Sequence, residues 1–390
     1  MKKIIRVATH SGSLGKLLQG QLRFMSAHYE MIGIGSSGDI TDGETVIDTL
    51  SRKENVRVIP VEMTREITPL KDLKAVYQLY KIFKKEKPTI VHSHTPKAGT
   101  LAMLAAKIAK VPNRLHTVAG LPLVEATGVK RRLLHVVEKI TYACATKVYP
   151  NSFGLKDIIL HNEFADSKKL KVIGKGSSNG IDTAYFTPAF YTDEEKHTLR
   201  RQLAIKPSAF VYTFLGRIVK DKGINELVKA FKNIQETHAH ATLLLVGYYD
   251  QETAQLLQET ENEIESNKNI ILIGWQEDVR PFLAISNVLT FPSYREGFPN
   301  TVLQASAMQV PSIVSDINGC NEIVQEGING SVIPVKNVEA LQKSMQQLLV
   351  DTDYHTQLTK NARAPICEKY ERKYIWESLL QEYKSLNEVT

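Results

Sequence analysis

The sequence predicts an α/β protein built from two doubly wound, Rossmann-like domains. Short runs rich in β-branched residues alternate with longer amphipathic stretches along the whole chain. The short runs are continuously apolar, which is typical of parallel strands covered by helices on both faces. With 390 residues the chain is long enough for two such domains. Because sheets of this kind bind ligands outside the carboxyl ends of their strands, two sheets facing a cleft would hold two ligands.

Each half of the chain contains six strand-like runs. In the first half they are Ile4–Thr9, Met31–Gly35, Val56–Val61, Thr89–His92, Arg114–Thr117 and Thr146–Pro150. In the second half they are Phe210–Gly216, Ala241–Gly247, Ile270–Gly274, Val288–Phe291, Ser312–Ser315 and Ser331–Pro334. Helical patterns lie near 14–27, 69–86, 97–110, 130–144 and 153–161, and then near 222–235, 251–266, 278–285, 300–308 and 337–349. This alternation predicts one parallel sheet in each half.

The boundary between the halves is expected at Gly174–Pro188, a segment rich in glycine, serine and asparagine. We therefore predict an N-terminal domain at 1–180 and a C-terminal domain at 181–370. The tail is predicted to be helical, first over Asp353–Lys369 and then over Glu371–Leu386. An apolar stripe on the second tail helix needs a surface to cover it; the stripe consists of Tyr374, Ile375, Leu379 and Tyr383.

Charge is distributed unevenly between the halves. Residues 1–183 contain 29 Lys and Arg against 16 Asp and Glu, a net charge of +13, whereas the remainder carries −6. One half is therefore expected to meet an anionic partner, which is nucleic acid, a membrane surface or a phosphorylated substrate. No recognised nucleic-acid module accompanies the basic half, so nucleic acid is the weakest of the three.

Composition limits the compartment in which the protein works. No apolar run approaches the roughly 20 residues that cross a bilayer, and the apolar stretch near the N-terminus is too short for a secretory signal. The three cysteines, Cys144, Cys320 and Cys367, form neither a metal-ligand pair nor a disulfide framework. We expect a protein of the reducing cytoplasm.

Polar residues follow two of the strands in the first half. The first strand leads into a small-residue stretch with Gly12, which either approaches an anion or is an ordinary tight turn. A later strand ends at His92 and continues into His94, Thr95 and Lys97, where a helix N-terminus and a cation would attract phosphate. Packed histidines and a solvated lysine are the alternative. A metal site at the two histidines is not expected, because no nearby carboxylate or thiol completes it.

Three further residues with ionisable side chains lie at or shortly after the ends of predicted strands. His116 ends a strand and precedes a small-residue loop, which suits a ligand cleft and a structural histidine equally well. Arg217 directly follows a strand, and Lys222 lies on the same loop where it enters a helix. Paired cations at such a place can clamp a diphosphate. A P-loop is excluded, because its glycine and lysine spacing is missing.

The segment Pro292–Gln304 is the most informative in the chain. A strand ends, a loop presents Glu296, and Pro299 with Asn300 opens a helix whose free N–H groups can receive phosphate. Gln304 lies one turn into that helix, on a side that could reach a sugar hydroxyl. A carboxylate beside a diphosphate site can hold hydroxyls or balance positive charge at an anomeric carbon. Helix capping is the alternative role for Glu296, and Asn300 suits that role better.

Four segments in this order resemble bacterial glycosyltransferases of family 4, which have the GT-B fold. They are VHSHTPKAGTLAMLAAKIAKVPNRLHTVAGLP, GRIVKDKG, SYREGFPNTVLQASA and SDINGCNEIVQEGINGSVIP, and together they extend the resemblance over nearly the whole chain. The sequence looks most similar to lipid-linked N-acetylgalactosaminyltransferases and to enzymes of capsular and exopolysaccharide synthesis. The resemblance implies transfer of a sugar from a nucleotide sugar to a lipid-linked glycan. It also implies retention of anomeric configuration, no metal and no other cofactor.

The resemblance also implies roles for individual residues. Arg217 and Lys222 would bind the donor diphosphate, Glu296 would contact the donor sugar, and His116 would lie beside the reacting anomeric carbon. Donor binding as a whole is assigned to Gly12, Arg217, Lys222, Glu296, Asn300, Thr301, Val302, Leu303 and Gln304. Acceptor binding is assigned to His94, Thr95 and Lys97. The C-terminal helix, 371–390, would cross back onto the N-terminal domain, which would bind the acceptor while the C-terminal domain binds the donor.

The chain departs from the family in two places, one of which is the N-terminal loop at Gly12, where the glycines are less regular than in the family's usual Gly-Gly form. Gln304 replaces the second glutamate of the Glu-x₇-Glu pattern, which typically holds the ribose hydroxyls. An amide oxygen can still accept those hydrogen bonds, and the lost charge assistance is worth about 1 kcal/mol. We therefore expect the protein to bind a nucleotide despite the glutamine at position 304. The resemblance favours UDP as that nucleotide.

Two other functions fit a two-domain protein of this architecture. A nucleotide-sugar 2-epimerase has the GT-B fold, but the Arg-x₄-Lys spacing at Arg217 followed by Glu-Gly-Phe-Pro favours transfer. A two-lobed ligand-binding protein of periplasmic type would need an export signal, and none is found.

A basic stretch in the first half suggests membrane contact. Lys130–Arg132 begins a helical pattern with an apolar side formed by Leu133, Leu134, Val136, Val137 and Ile140. This pattern predicts either a helix that docks on anionic lipid or a core helix with a solvated basic end. Docking would place the protein in the cytoplasm, peripherally associated with the inner face of the plasma membrane.

Overall fold

The computed structural model consists of two compact units, one formed by Met1–Gly180 with the C-terminal helix and the other by Ile181–Glu371. The residues that it describes are 1–38, 40–41, 44–64, 66–124 and 126–388. Each unit contains a six-stranded sheet in which every pairing is parallel. The predicted α/β class with two parallel sheets is confirmed.

The first unit contains the six predicted strands, close to their predicted positions, and two short strands that were not predicted. They are β1 (Lys3–His10), β2 (Glu30–Ser36), β3 (Ile40–Thr41), β4 (Glu44–Thr45), β5 (Arg57–Pro60), β6 (Ile90–Ser93), β7 (Asn113–Val118) and β8 (Lys147–Pro150). The parallel sheet has the order β5-β2-β1-β6-β7-β8, and β3 pairs with β4 in a short antiparallel hairpin. The strand order reverses beside β1, which is where doubly wound sheets bind ligands.

The helices of the first unit cover both faces of its sheet. They are α1 (Ser11–Leu17), α2 (Gln21–Ser26), α3 (Val46–Glu54), α4 (Pro69–Glu86), α5 (Pro96–Ile108), α6 (Gly128–Cys144) and α7 (Phe153–His161). The predicted helix near 14–27 is divided into α1 and α2, because Gly20 adopts φ +80° between them. Helix α4 begins with Pro69 in its first turn and ends before Lys87, which is left-handed.

The second unit repeats the topology of the first. Its strands are β9 (Val211–Leu215), β10 (Thr242–Val246), β11 (Ile270–Gly274), β12 (Val288–Phe291), β13 (Ser312–Ser315) and β14 (Gly330–Ile333). The sheet order β11-β10-β9-β12-β13-β14 is equivalent to that of the first unit. All residues of β9, β10, β12 and β13 are buried, which explains why these strands read as continuously apolar runs.

Helix α8 of the second unit was not expected from the sequence. The helices of this unit are α8 (Asp193–Gln202), α9 (Ile224–Gln235), α10 (Gln251–Ala254), α11 (Gln258–Ser266), α12 (Arg280–Ala284), α13 (Asn300–Ala307), α14 (Cys320–Ile323), α15 (Val338–Val350), α16 (Thr352–Ala362) and α17 (Ala364–Lys369). No residue of α8 is buried, so it lacks an apolar period. Its sequence signal is a capping box, in which the side chains of Thr192 and Glu195 each bind the other's backbone N–H.

The last helix, α18 (Arg372–Glu388), packs on the first unit. Ile375, Leu379 and Tyr383 are buried there, and burial of each apolar side chain contributes about 1.5–3 kcal/mol. The predicted return of the C-terminal helix to the N-terminal region is therefore confirmed. Tyr374 was wrongly placed on the buried stripe: it is 40% exposed. Residues 389 and 390 of the predicted helix lie outside the described residues.

Candidate active site

Two neighbouring strand ends build the candidate site of the second unit. Strands β9 and β12 are parallel neighbours, with Leu289 opposite Thr213. The chain leaving β9 carries Arg217 and Lys222, and the chain leaving β12 carries Glu296. These residues therefore follow strands at the sheet edge where α/β domains bind ligands.

The two loops are held in contact by a close backbone approach. Gly223 is left-handed, with φ +73°, and a Cβ atom there would collide with the carbonyl oxygen of Pro292. The backbone N–H of Tyr294 donates to the carbonyl of Asp221 at 3.0 Å. The carboxylate of Asp221 also lies 3.2 Å from the guanidinium of Arg295. Glycine at position 223 thus allows the loop of Lys222 to meet the loop of Glu296.

Lys222 and Glu296 form an ion pair across these loops. Their side chains are only 17% and 15% exposed, and the Ser293 hydroxyl donates to the same Glu296 oxygen at 2.9 Å. The Lys222 ammonium also lies 5.6 Å from the centre of the Phe291 ring. Low exposure strengthens the attraction between the two charges relative to a surface pair. The carboxylate is therefore held in one orientation by a cation and a hydroxyl.

Arg217 differs from Lys222 because its guanidinium has no bonded partner among the described residues. Its side chain is exposed, and no residue in the described part of the chain forms a hydrogen bond or ion pair with its guanidinium. The five N–H donors of arginine match the oxygens of phosphate groups, and its charge is permanent. Arg217 is therefore ready to bind an anion without first breaking an ion pair.

Helix α13 presents the remaining predicted donor residues. Val302 and Leu303 are buried, and their N–H groups donate to the Pro299 carbonyl at 3.2 and 3.4 Å. Asn300 is exposed and Gln304 is partly exposed. The expectation that Asn300 caps the helix is wrong: Pro299 occupies the capping position, and no side chain accepts a first-turn N–H there.

One residue that supports the site, Asn318, is not indicated by the sequence. The Asn318 amide donates to the carbonyls of Glu296 and Gly297, at 2.5 and 3.3 Å. It therefore holds the backbone of the Glu296 loop from the chain after β13. Asn318 lies within the SDINGCNEIV segment, but its partners are 21 and 22 positions away, so no local pattern shows the contact.

In the first unit, Gly12 does not lie in a loop. Helix α1 begins at Ser11 directly after β1, so Gly12 belongs to its first turn. A Cβ atom at Gly12 would lie 3.4 Å from Val46, which is an ordinary contact. The expected small-residue loop is therefore replaced by a helix that starts one residue earlier than the glycine, and glycine is not sterically required there.

The predicted acceptor residues Thr95 and Lys97 both have partners within the first unit. The Thr95 hydroxyl accepts a hydrogen bond from the Thr9 backbone N–H at 2.9 Å. The Lys97 ammonium pairs with the Asp72 carboxylate at 2.5 Å and also donates to the Glu66 carbonyl at 2.7 Å. Lys97 is thus neither solvated nor unpaired, and an anion would have to share it with Asp72.

The predicted histidines are buried. His94 is 4% exposed and its Nε2 accepts from Arg6 at 2.7 Å, whereas His116 is 3% exposed and bonds the Ser93 hydroxyl through Nδ1 at 2.9 Å. The His116 ring packs so closely over Gly99 that a Cβ atom there would overlap it. Burial lowers the pKa of His116 to about 4. Burial and then the Arg6 charge hold the pKa values of His92 and His94 well below the usual range.

These three histidines predict a loss of stability in mild acid. Unfolded histidine has a pKa of about 6.5. Because the folded pKa is lower, the stability contributed by each neutral ring is complete above pH about 6.5 and is lost as the pH falls toward the folded pKa. We expect the free energy of unfolding in urea to be level between pH 7 and 8 and to fall between pH 6.5 and 5, by up to about 1.4 kcal/mol per pH unit for each histidine.

The variant His116→Gln should reduce that slope, and the exposed His161→Gln should leave it unchanged. An unfolding free energy that stays level from pH 7 to 5 in the unmodified protein would contradict the prediction.

Neither a metal cluster nor a membrane span was found in the part of the chain that the structure describes. Among those residues no group of three His, Cys, Asp or Glu side chains could hold a metal ion. None of the helices in that part is long and apolar enough to cross a bilayer.

Comparisons with known proteins agree with this architecture. The model for glycosyl transferases group 1 matches residues 195–364, and the model for glycosyl transferase 4-like proteins matches residues 40–152. The capsular polysaccharide biosynthesis glycosyltransferase CapM of Staphylococcus aureus is 34% identical over 392 residues, covering 98% of this chain and 97% of CapM. The UDP-Gal:alpha-D-GlcNAc-diphosphoundecaprenol alpha-1,3-galactosyltransferase of Escherichia coli is 31% identical over 309 residues, covering 78% and 77% of the two chains.

A solved structure is similar over the same length. The crystal structure of HepE from Anabaena in complex with UDP aligns with a TM-score of 0.79 at 17% identity, covering 98% of this chain and all of HepE. At that identity the likeness concerns the fold, which is the pair of sheets described above. Because the match to CapM extends over almost the full length of both proteins, this chain belongs to the group 1 glycosyltransferases of family 4, with the GT-B fold, and is a nucleotide-sugar-dependent glycosyltransferase.

Proposed function

We propose that this protein moves a hexose or N-acetylhexosamine from a UDP-sugar to a lipid-linked glycan, with retention of anomeric configuration. The observation that carries the proposal is the grouping of the unengaged Arg217 with the Lys222–Glu296 ion pair after two neighbouring strands. This set supplies cations for a diphosphate and a carboxylate for the sugar. The positive charges in the proposal are those of Arg217 and Lys222, and no step is assigned to a metal ion.

The proposed mechanism assigns each charge to a step. The bond between the anomeric carbon and the diphosphate oxygen breaks, and negative charge grows on the leaving UDP. Arg217 and Lys222 stabilise that charge, while the Glu296 carboxylate binds sugar hydroxyls or balances positive charge at the anomeric carbon. The acceptor oxygen bonds to the same face of that carbon, and its proton passes to the leaving diphosphate.

Donor and acceptor classes are proposed from the relatives. The Escherichia coli enzyme is named for UDP-galactose and a diphosphoundecaprenol acceptor, and HepE was crystallised with UDP. CapM is named for capsular polysaccharide biosynthesis. We therefore propose a UDP-sugar, an acceptor linked to undecaprenyl diphosphate, and a place in the synthesis of capsule, exopolysaccharide or O-antigen.

We assign the acceptor to the first unit and the donor to the second. The +13 charge of residues 1–183 suits a lipid diphosphate, and the acceptor loop carries His94, Thr95 and Lys97. His116 bonds the Ser93 hydroxyl through Nδ1, and its ring packs over Gly99. We propose that these contacts orient the ring and that His116 lies beside the reacting anomeric carbon.

The function is tested by offering UDP- and GDP-sugars together with undecaprenyl-diphosphate-linked glycans and analysing the products by mass spectrometry. We expect an acceptor longer by one sugar with a UDP-sugar, and an α-linked product from an α-linked donor. Turnover of the nucleotide sugar without an acceptor would point to an epimerase. Transfer from GDP-sugars alone, or inversion at the anomeric carbon, would contradict the proposal.

Helix α6 supports peripheral contact of the first unit with a membrane. Its Val129, Leu133, Val136 and Ile140 are 82%, 46%, 52% and 46% exposed, and their spacing places them on one face of the helix. Lys130–Arg132 are exposed as well, whereas Leu134 packs against the core. An exposed apolar stripe beside three cations matches the chemistry of an anionic lipid surface. We propose that this face docks on the inner face of the plasma membrane.

Reversal of the three charges, with Lys130, Arg131 and Arg132 changed to Glu, should weaken binding to anionic vesicles at least about 10²-fold at low salt. The expectation rests on about 1 kcal/mol per cation near such a surface. It is measured by co-sedimentation with phosphatidylglycerol-containing vesicles.

A matched control changes Lys84, Lys85 and Lys87 to Glu, which alters net charge equally at the far end of helix α4. Equal losses in both triple variants would show a general charge effect. Unchanged binding of the first variant would refute docking through α6.

A further inference from the structure

Side chains join the Glu296 loop, which is the segment 292–299 between β12 and α13, to the loop of Lys222. Two of these contacts are ion pairs, one between Lys222 and Glu296 and one between Asp221 and Arg295. The side chains of Arg295 and Asp221 are 43% and 34% exposed, and an ion pair at that exposure contributes little to holding two loops together.

Tyr294 makes a third contact, with the first turn of helix α9. Its hydroxyl lies 2.7 and 2.8 Å from the two carboxylate oxygens of Glu226 and donates to that carboxylate. A hydrogen bond to an ionised acceptor is stronger than one between neutral groups. The Tyr294 ring is 9% exposed, and the Lys336 ammonium lies 4.6 Å from its centre. The Tyr294 side chain is therefore held by groups from α9 and from the chain after β14.

The proposed function gives Lys222 two anionic partners. In this structure its ammonium pairs with the Glu296 carboxylate, and during transfer it binds the donor diphosphate. A diphosphate carries more negative charge than one carboxylate and attracts the ammonium more strongly at equal distance. Donor binding therefore weakens the contact through which Lys222 holds Glu296. The hydrogen bond between Tyr294 and Glu226 uses no group that is assigned to the donor, so it remains when the donor binds.

The placement of Glu296 matters because its proposed task is electrostatic. A carboxylate that binds sugar hydroxyls or balances charge at the anomeric carbon has to be in place before the reaction. Misplacement of a reacting or stabilising group by about 1 Å can cost about 10²-fold in rate. Tyr294 precedes Glu296 by two residues, so the position of its backbone limits where the carboxylate can lie.

We propose that Tyr294 and Glu226 are positioning residues, which keep Glu296 in place beside Lys222 when the donor diphosphate draws on that lysine. The inference rests on the proposed function, from which it takes the roles of Lys222 and Glu296. The hydrogen bond holds the Glu296 loop against α9, so that the carboxylate faces the sugar while the lysine serves the diphosphate. Tyr294 and Glu226 act through Glu296 and not on the donor.

Steady-state kinetics of Tyr294→Phe test the inference. Removal of the hydroxyl should lower kcat about 10-fold, because the transition state depends on where Glu296 lies. The affinity for UDP, measured by calorimetry, should stay within about twofold, because UDP lacks the sugar that Glu296 contacts. Glu226→Ala should give the same result. Glu226→Gln keeps an oxygen that accepts from the tyrosine hydroxyl and should retain kcat within about threefold.

The matched control for a loss of stability is Tyr212→Phe. Tyr212 is fully buried on β9, and its hydroxyl donates to the Met345 carbonyl of α15 at 2.8 Å. We expect this variant to lower the melting temperature at least as much as Tyr294→Phe and to leave kcat unchanged. Equal losses of kcat in the two variants, full activity of Tyr294→Phe, or equal losses in Glu226→Gln and Glu226→Ala would overturn the inference.

Hydrogen exchange follows the same contact without any transfer reaction. The Tyr294 backbone N–H donates to the Asp221 carbonyl, so its exchange reports whether the two loops stay together. With UDP present, we expect the Glu296 loop to exchange about 10-fold faster in Glu226→Ala than in the unmodified protein or in Glu226→Gln. Equal exchange in the three proteins would contradict the inference. If the unmodified protein transferred no sugar from a UDP-sugar, the proposed function would fail, and the exchange would still show whether Glu226 holds the loop.

Discussion

Replacement of Arg217 with alanine should lower kcat/KM about 10²–10³-fold and leave the free energy of unfolding within about 0.5 kcal/mol. The kinetic figure is typical for removal of one group that stabilises charge developing in a transition state. The small effect on stability follows from the exposure of Arg217 and from the lack of a bonded partner for it in the described residues. Steady-state transfer from a UDP-sugar, together with urea unfolding, measures both quantities.

The matched control for this variant is Lys220→Ala. Lys220 is exposed, carries the same charge and lies three residues further along the same loop. If the loss came from general attraction of an anionic donor, both variants would be affected alike and the effect would shrink with added salt. Full activity of Arg217→Ala, or equal losses in the two variants, would remove Arg217 from the proposed diphosphate site.

Although the sequence predicts that Lys222 binds the diphosphate as Arg217 does, Lys222→Ala is expected to have a second effect, on the Glu296 carboxylate. Lys222→Ala would remove a cation. It would also leave the Glu296 carboxylate, whose side chain is 15% exposed, with Ser293 as its one bonded side-chain partner among the described residues. Effects of groups that act as a unit do not add. The double variant with Arg217→Ala should therefore lose less activity than the product of the two single losses.

The sequence was sufficient to place residues on strand ends but not to pair them. Lys222 and Glu296 each follow a continuously apolar run, so their position at the carboxyl edge of one sheet was predictable. Their ion pair was not, because the residues are 74 positions apart and the contact depends on Gly223 fitting against Pro292. A glycine in a loop indicates that a neighbouring group approaches the backbone closely. The sequence does not show which group that is.

The predictions that the structure contradicts, and the features that the sequence does not indicate, also have local causes. Gly12 was expected in a loop because small residues favour turns, yet β1 continues directly into α1 through Ser11, whose hydroxyl donates to the Ser36 carbonyl at 2.7 Å. Helix α8 has no buried face, so the apolar period used to find helices was missing. The contacts of Arg6 leave no signal in the sequence, because one charged residue within an apolar strand is an isolated exception to the pattern and its partners come from positions 21, 94 and 383.

Replacement of Tyr383 with alanine should destabilise the first unit by about 5 kcal/mol, a large part of the 5–15 kcal/mol that holds a typical domain together. Removal of a buried aromatic ring costs about 3–5 kcal/mol, and Tyr383 has no exposed surface. Its hydroxyl also accepts from Arg6 Nη1 at 2.9 Å and bonds His92 Nδ1 at 2.6 Å. Leaving such buried groups unpaired costs about a further 1–3 kcal/mol.

Two variants separate these contributions in urea unfolding of the first unit. Tyr383→Phe keeps the ring and removes the hydroxyl, so we expect about 1–3 kcal/mol of destabilisation. Tyr374→Ala removes a tyrosine that is 40% exposed from the same helix, and we expect less than about 1 kcal/mol. If Tyr383→Ala cost no more than Tyr374→Ala, helix α18 would contribute little to the stability of the first unit. If Tyr383→Phe were neutral, the hydroxyl bonds to Arg6 and His92 would contribute nothing measurable to the stability of the first unit.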